Sequence, residues 1–151
     1  MAEDSPNKEQ MPSFRDRLMP FASTDQRMAF AIEEACRSLE TFFSAMANPK
    51  PNQKSFLIKA RFETDRAVEH LWLADIKLSA WPPTGIIANE PRNPRLAFMQ
   101  RVDFLPDQVT DWMYVEDGYL VGGFSTQVIR SNMTSEQRAK FDAAAPYRFR
   151  D

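Results

Sequence analysis

Asp111-Trp112-Met113-Tyr114-Val115-Glu116-Asp117-Gly118-Tyr119-Leu120-Val121-Gly122-Gly123-Phe124 is the stretch whose reading decides the fold. Asp117-Gly118 stands between two apolar runs, Trp112 to Val115 and Tyr119 to Val121. A two-residue Asp-Gly loop favours a type I′ hairpin, because both central residues need positive φ, which Asp tolerates and Gly accepts freely. That turn sets Glu116 opposite Tyr119, Val115 opposite Leu120 and Tyr114 opposite Val121. Opposed residues share a face, so both faces of the hairpin are apolar and both are expected to be covered.

Gly122-Gly123 then turns the chain into Phe124 to Arg130, read as a short helix, with a further strand as the competing reading because Thr126, Val128 and Ile129 are β-branched. Free amides at a helix start can hold an anion. No Lys-Ser/Thr or three-glycine pattern accompanies the pair, so relief of a crowded turn is the expectation.

Upstream, Ser23 and Gln26 stand at capping-box spacing and open a helix. Met28, Ile32, Ala35, Leu39, Phe42 and Met46 recur on one face of it, and Asn48-Pro49 ends it. Phe56, Ile58, Ala60 and Phe62 alternate with Lys59, Arg61 and Glu63, which predicts a strand over 55–63. A second strand follows over 68–78, with Val68, His70, Trp72, Ala74, Ile76 and Leu78 on one face and Leu71 and Leu73 on the other. Apolar residues on both faces make it a central strand. Trp81-Pro82-Pro83-Thr84-Gly85 reads as a turn, residues 86–90 as a short third strand and residues 101–104 as a fourth. Thr134 and Gln137 repeat the capping-box spacing and start a last helix, with Phe141 as its apolar contact.

The expected fold class is α+β: a curved, mainly antiparallel sheet of five or six strands packed by an N-terminal helix and short C-terminal helices. Residues 1–22 form an arm rich in Pro, Ser, Asn and charge, residues 23–142 the single domain, and residues 143–151 a C-terminal tail that frays.

Three segments carry a resemblance: residues 111–124, Glu69-His70-Leu71-Trp72-Leu73-Ala74-Asp75 and Ile87-Ala88-Asn89-Glu90-Pro91. Together they are similar to DUF2314, a bacterial domain family of unknown function, over about residues 54–141. The resemblance implies a domain and leaves its activity open. Where members often carry Gly-Asp ahead of the strand that precedes the hairpin, Met99-Gln100 stands here.

A net charge of −2 gives no electrostatic reason to expect nucleic acid or an anionic membrane surface. No run of about eighteen apolar residues could span a bilayer, and the acidic start has no apolar leader core, so a cytoplasmic location is expected. Cys36 is the only cysteine and reads as a small buried hydrophobe. His70 is the only histidine; with one of each, the zinc patterns of Cys and His are excluded. Neither a nucleophile elbow nor a Cys-His motif is present. No catalytic residue, metal or cofactor is therefore assigned.

The sequence instead suggests a non-catalytic module, regulatory or toxin-neutralising, that binds a protein partner or small ligand near the hairpin. Its candidate binding residues are His70, Glu90, Asp111, Trp112, Tyr114 and Tyr119, where polar groups at strand ends reach a cleft and aromatics supply contact area. Each has a structural alternative: a satisfied core histidine, a turn carboxylate, Glu90 paired with Arg92 or Arg101, or simple core mass. The alternative function is a hydrolase-like enzyme using Glu90, Asp111 and His70 in one cleft.

Overall fold

The computed structural model describes residues 24–63 and 67–150. Among them, four helices and one open six-stranded antiparallel sheet make an α+β fold. Helix α1 (Thr24–Arg37) and helix α2 (Leu39–Ala47) precede strand β1 (Gln53–Glu63), strand β2 (Val68–Lys77), strand β3 (Thr84–Ile87) and strand β4 (Arg101–Asp103). A 3₁₀ turn over Pro106–Gln108 leads into β5 (Val109–Glu116) and β6 (Tyr119–Gly122), then helix α3 (Phe124–Ser131) and helix α4 (Ser135–Ala144). The strands lie in the order β4-β3-β2-β1-β5-β6.

The β5–β6 hairpin has the expected register, with Glu116 opposite Tyr119, Val115 opposite Leu120 and Tyr114 opposite Val121. Asp117 and Gly118 take φ of 54° and 83°, as a type I′ turn requires. Phe124 to Ser131 is helical, so the β-branched residues there do not make a strand. Thr134 and Gln137 form a reciprocal capping box at the start of α4. The cap assigned to Ser23 and the arm over 1–22 lie outside the described residues.

The N-terminal apolar stripe forms two helices where one was expected. Ser38 interrupts it, its hydroxyl donating back to the Glu34 carbonyl at 2.6 Å, a bond that competes with regular helix geometry. The Trp112 indole N–H reaches this break, 3.2 Å from both the Ala35 carbonyl and Ser38 Oγ. Ala31, Ala35 and Phe42 are buried, and Met28, Leu39 and Met46 pack beside them.

Helices α1, α2 and α3 pack on one face of the sheet, where Ile58, Ala60, Leu71, Leu73, Ile87, Trp112 and Tyr114 form the main core. Of three register shifts in the sheet, one lies between Lys54 and Leu57 of β1 and two alter the pattern further along. Asp75, at φ 47°, interrupts the β2–β3 ladder and returns Ile76 to the core face, away from His70 and Trp72. Thr110 is the extra residue between the pairs Lys59–Asp111 and Ala60–Val109. The third strand also starts earlier than expected: Thr84 and Gly85 pair with Asp103 and Val102. It ends earlier because Asn89 leaves the ladder and its side-chain oxygen accepts the Trp72 amide at 2.8 Å. Gly85 fits this strand because a Cβ there would stand 2.9 Å from Leu73 Cβ and Ile76 Cδ1.

On the second face, Met113, Val115 and Leu120 form a smaller cluster with Leu57, Trp72, Tyr147 and Phe149. Residues 147–150 of the C-terminal tail lie against the sheet. Arg148 bridges Tyr119 in parallel: the Leu120 amide donates to Arg148 O at 2.8 Å and the Arg148 amide to Gly118 O at 2.9 Å. The tail therefore lies along the outer edge of β6. Tyr147 and Phe149 pack on the second face, and Arg148 and Arg150 stack over the Tyr119 ring.

Candidate functional site

Asp111 is the polar centre of the signature stretch. It has no solvent exposure and sits inside a strand, not at a strand end beside a cleft. Its carboxylate accepts the backbone amides of Trp112 (2.8 Å), Phe124 (3.0 Å) and Ser125 (2.9 Å), and the Ser125 hydroxyl. Gly122 and Gly123, both at positive φ, bring the first turn of α3 onto that carboxylate. The anion at this helix start is thus the protein's own side chain.

Lys59 completes the cluster from β1. Its ammonium donates to Ser125 Oγ at 2.7 Å and lies 4.9 Å from the centre of the Trp72 ring. Burial pushes the Lys59 amine below its ordinary pKa, and the Asp111 carboxylate acts against that shift. Burial likewise raises Asp111, opposed by its bonds to Ser125, by Lys59 and by the Phe124 amide. Tyr147 belongs to the same neighbourhood: its phenol is pushed up by burial and then by the Asp111 charge.

The other expected residues separate into three environments. Trp112 and Tyr114 are core: their rings stack at 5.9 Å, Tyr114 stacks on Phe56 at 4.9 Å, and Trp112 meets Phe124 edge-on at 5.4 Å. His70 is exposed, not a core histidine, with Nδ1 3.1 Å from Thr110 Oγ1. Its pKa is lowered by partial burial and then by the Lys59 and Arg61 charges. Tyr119 is half-buried beneath Arg148 and Arg150, at 4.6 and 4.3 Å from its ring centre.

Glu90 is exposed in the loop after β3. Neither expected arginine pairs with it: Arg101 joins Asp75, and the Arg92 amide donates to Glu69 at 2.6 Å. Strand β1 stands between His70 on β2 and Asp111 on β5, while Glu90 lies beyond β3. Asp111 is enclosed by its own donors with no solvent exposure, whereas His70 and Glu90 are exposed. Among the described residues, no three His, Cys, Asp or Glu side chains are grouped to hold a metal ion, and no helix is long and apolar enough to cross a membrane.

Lys59, Thr110 and Ser125 are members of the polar cluster that sequence reasoning missed. One signal was available: an aspartate inside an otherwise apolar strand needs donors, and the nearest free amides are at the start of the next helix. Nothing local marks Lys59, whose role depends on the β1–β5 pairing. Cys36, expected to be buried, is exposed, and its thiol reaches the Val109 carbonyl at 3.4 Å.

The other two signature segments hold one another. The Ala88 amide donates to Trp72 O at 2.8 Å, Asn89 accepts from Trp72 N, and Glu69 accepts the Arg92 and Asn93 amides. Most of these polar groups therefore fix backbone at loops and strand ends, within an α+β domain built on one open sheet.

The chain belongs to the family described as "Uncharacterized protein conserved in bacteria (DUF2314)", whose profile matches residues 25–149. It is also 35% identical over 83 residues to a protein of Neisseria meningitidis serogroup B named "Putative ankyrin repeat protein". That match covers 54% of this chain and 33% of the relative, so the chain spans about a third of the relative's length. No solved structure matches the chain.

Proposed function

We propose that this domain is a non-catalytic protein-interaction module, and that its docking surface is the open edge of β4. The two edges of the sheet differ. The β6 edge is occupied by the C-terminal tail, whereas β4 is a three-residue edge strand with no further strand beside it among the described residues. The carrying observation is the apolar fringe around β4. Trp81 is 74% exposed, Met99 61% and Phe98 51%, with Leu78 and Leu105 also exposed. These five lie in the segments that flank β4 and the β2–β3 turn. An open edge bordered by apolar side chains suits an extended partner segment that adds a strand.

The resemblance to part of a protein named for ankyrin repeats accords with an interaction role, since repeat arrays present extended binding surfaces. Of the residues expected from the sequence, His70 and Glu90 are exposed, while Asp111, Trp112 and Tyr114 are buried and support the scaffold. We place the interaction in the cytoplasm, where a lone thiol such as Cys36 is ordinary; a regulatory target or a neutralised toxin both fit this mode of binding. The hydrolase alternative is disfavoured because the Asp111 carboxylate has no solvent exposure and is engaged by four internal donors.

A photo-crosslinking residue at position 81 or 105, in the intact protein in its source cell, tests the proposal. It is expected to capture one protein through an extended segment, and the same residue at position 136 on α4 is expected to capture none. Equal capture from all three positions, or none from 81 and 105, would reject the β4 edge as the docking surface.

A further inference from the structure

The tail on the β6 edge shows a second kind of recognition, independent of the β4 proposal. Residues 147–150 alternate aromatic and basic, Tyr-Arg-Phe-Arg, and run parallel to β6. Alternation in an extended segment sends the two pairs to opposite faces. Tyr147 and Phe149 meet Met113, Val115, Leu120 and their neighbours, while Arg148 and Arg150 stack on Tyr119. The edge thus has an apolar half and a π-face half, each matched to one component of the segment lying on it.

The attachment is made mostly of side-chain contacts. Two backbone hydrogen bonds hold the tail to β6, Phe149 lies under Arg130 at 4.4 Å and beside Phe141 at 5.9 Å, and Tyr147 and Phe149 stay half-buried. Helix α4, which leads into the tail, has no buried residue, and its exposed end passes through Ala145-Pro146. Its main anchor is the bidentate pair of Arg130 with Asp142, 2.8 Å at each contact. Leu120, by contrast, is 6% exposed with the tail in place and depends on that cover. Segments with few buried contacts open locally, without global unfolding.

We infer that the β6 edge is a docking groove for an extended aromatic–basic segment, occupied in cis by residues 147–150 and opened to a partner segment of the same chemistry when the tail lifts. The resident tail competes with the partner, so apparent affinity falls in proportion to the fraction of molecules with the groove open. The interaction is therefore self-limited by the chain's own residues 147–150.

The test uses the full-length protein, a Tyr147→Ser/Phe149→Ser variant of it, and a fluorescein-labelled peptide of residues 145–151, followed by anisotropy. The folded variant is expected to bind the peptide at least about tenfold more tightly than the wild type, because its own tail no longer competes. A peptide carrying the same two serines is expected not to bind. A folded variant that ignores the peptide would overturn the inference, as would equal binding by both proteins. Hydrogen exchange on the wild type gives a readout that does not depend on the variant's folding. The Leu120 amide, held by Arg148 O, is expected to exchange at least about tenfold faster than the Gly123 amide, held by Trp112 O. Equal protection of the two would show the tail to be a permanent strand.

Discussion

Three side chains show how one residue acquires a role that its type does not declare. Met99 adopts φ 74°, a left-handed conformation, while 61% exposed. The steric cost of that region for a residue with a Cβ outweighs the extra entropy that glycine loses on folding. Met99→Gly is therefore expected to stabilise the protein by about 0.5–1 kcal/mol in urea denaturation. A stability equal to or below the wild type would show that the thioether makes a compensating contact.

Asp111 is the opposite case, a charged side chain wholly enclosed by its partners. Asp111→Ala strips the acceptor from three amides and from Ser125, and leaves Lys59 without its counter-charge. Loss of one member of a buried pair typically costs about 3–5 kcal/mol, the expected fall in unfolding free energy, with a smaller fall for Asp111→Asn. His70 is held below its ordinary pKa of 6.5, so its neutral form is favoured in the folded state. The stability this provides is complete above 6.5 and is lost as the pH falls through the lowered folded value, because the unfolded chain takes up the proton first. Urea midpoints of wild type and His70→Gln, compared across that window, are expected to diverge towards acid, with the steeper decline in the wild type.

At the level of elements, the hairpin and the turn that follows it carry different strains. Gly118 sits at φ 83° in open space, where an added Cβ would have only the Arg148 guanidinium near it, at 3.5 Å. Gly118→Val is expected to cost about 1–3 kcal/mol, the penalty of forcing a β-branched residue to positive φ. Gly122 combines φ 76° with contact: a Cβ there would stand 2.6 Å from Cε3 of Trp112. Gly122→Ala adds overpacking of about 1–3 kcal/mol to the backbone strain and is expected to be the more damaging change. The Trp112 carbonyl oxygen crowds the same position, so equal melting temperatures for the two variants would mean that the backbone there shifts easily.

The same level separates what was legible from what was not. Asp117-Gly118 and the apolar runs beside it were enough for the whole β5–β6 register, because a two-residue turn leaves one pairing. The alternation of β1 was equally direct, with Ile58 and Ala60 fully buried. The breaks were not legible. Ser38, Asp75 and Thr110 interrupt a helix and two ladders through bonds to distant strands or shifts of register, and no local pattern marks them.

For the whole molecule, the buried core among the described residues runs from Ala31 in α1 to Val128 in α3. Removal of residues 1–22 is expected to leave a domain with cooperative thermal unfolding; a broad, non-cooperative transition would assign the arm a structural role. The amino-acid sequence alone determined the elements that depend on near neighbours: the type I′ hairpin, the α4 capping box, the alternating strand β1 and the α+β class. It also carried the family membership, through segments whose polar residues turn out to hold backbone. Only the tertiary structure decided which polar groups are exposed and which are enclosed. Asp111 is sealed in because β5 meets the start of α3, and His70 is exposed because Leu71 and Leu73 face the helices. The tail lies on β6 because Tyr147 and Phe149 pack on the apolar cluster of Met113, Val115 and Leu120. Such outcomes depend on pairings between residues far apart in the chain, and local spacing carries no record of them.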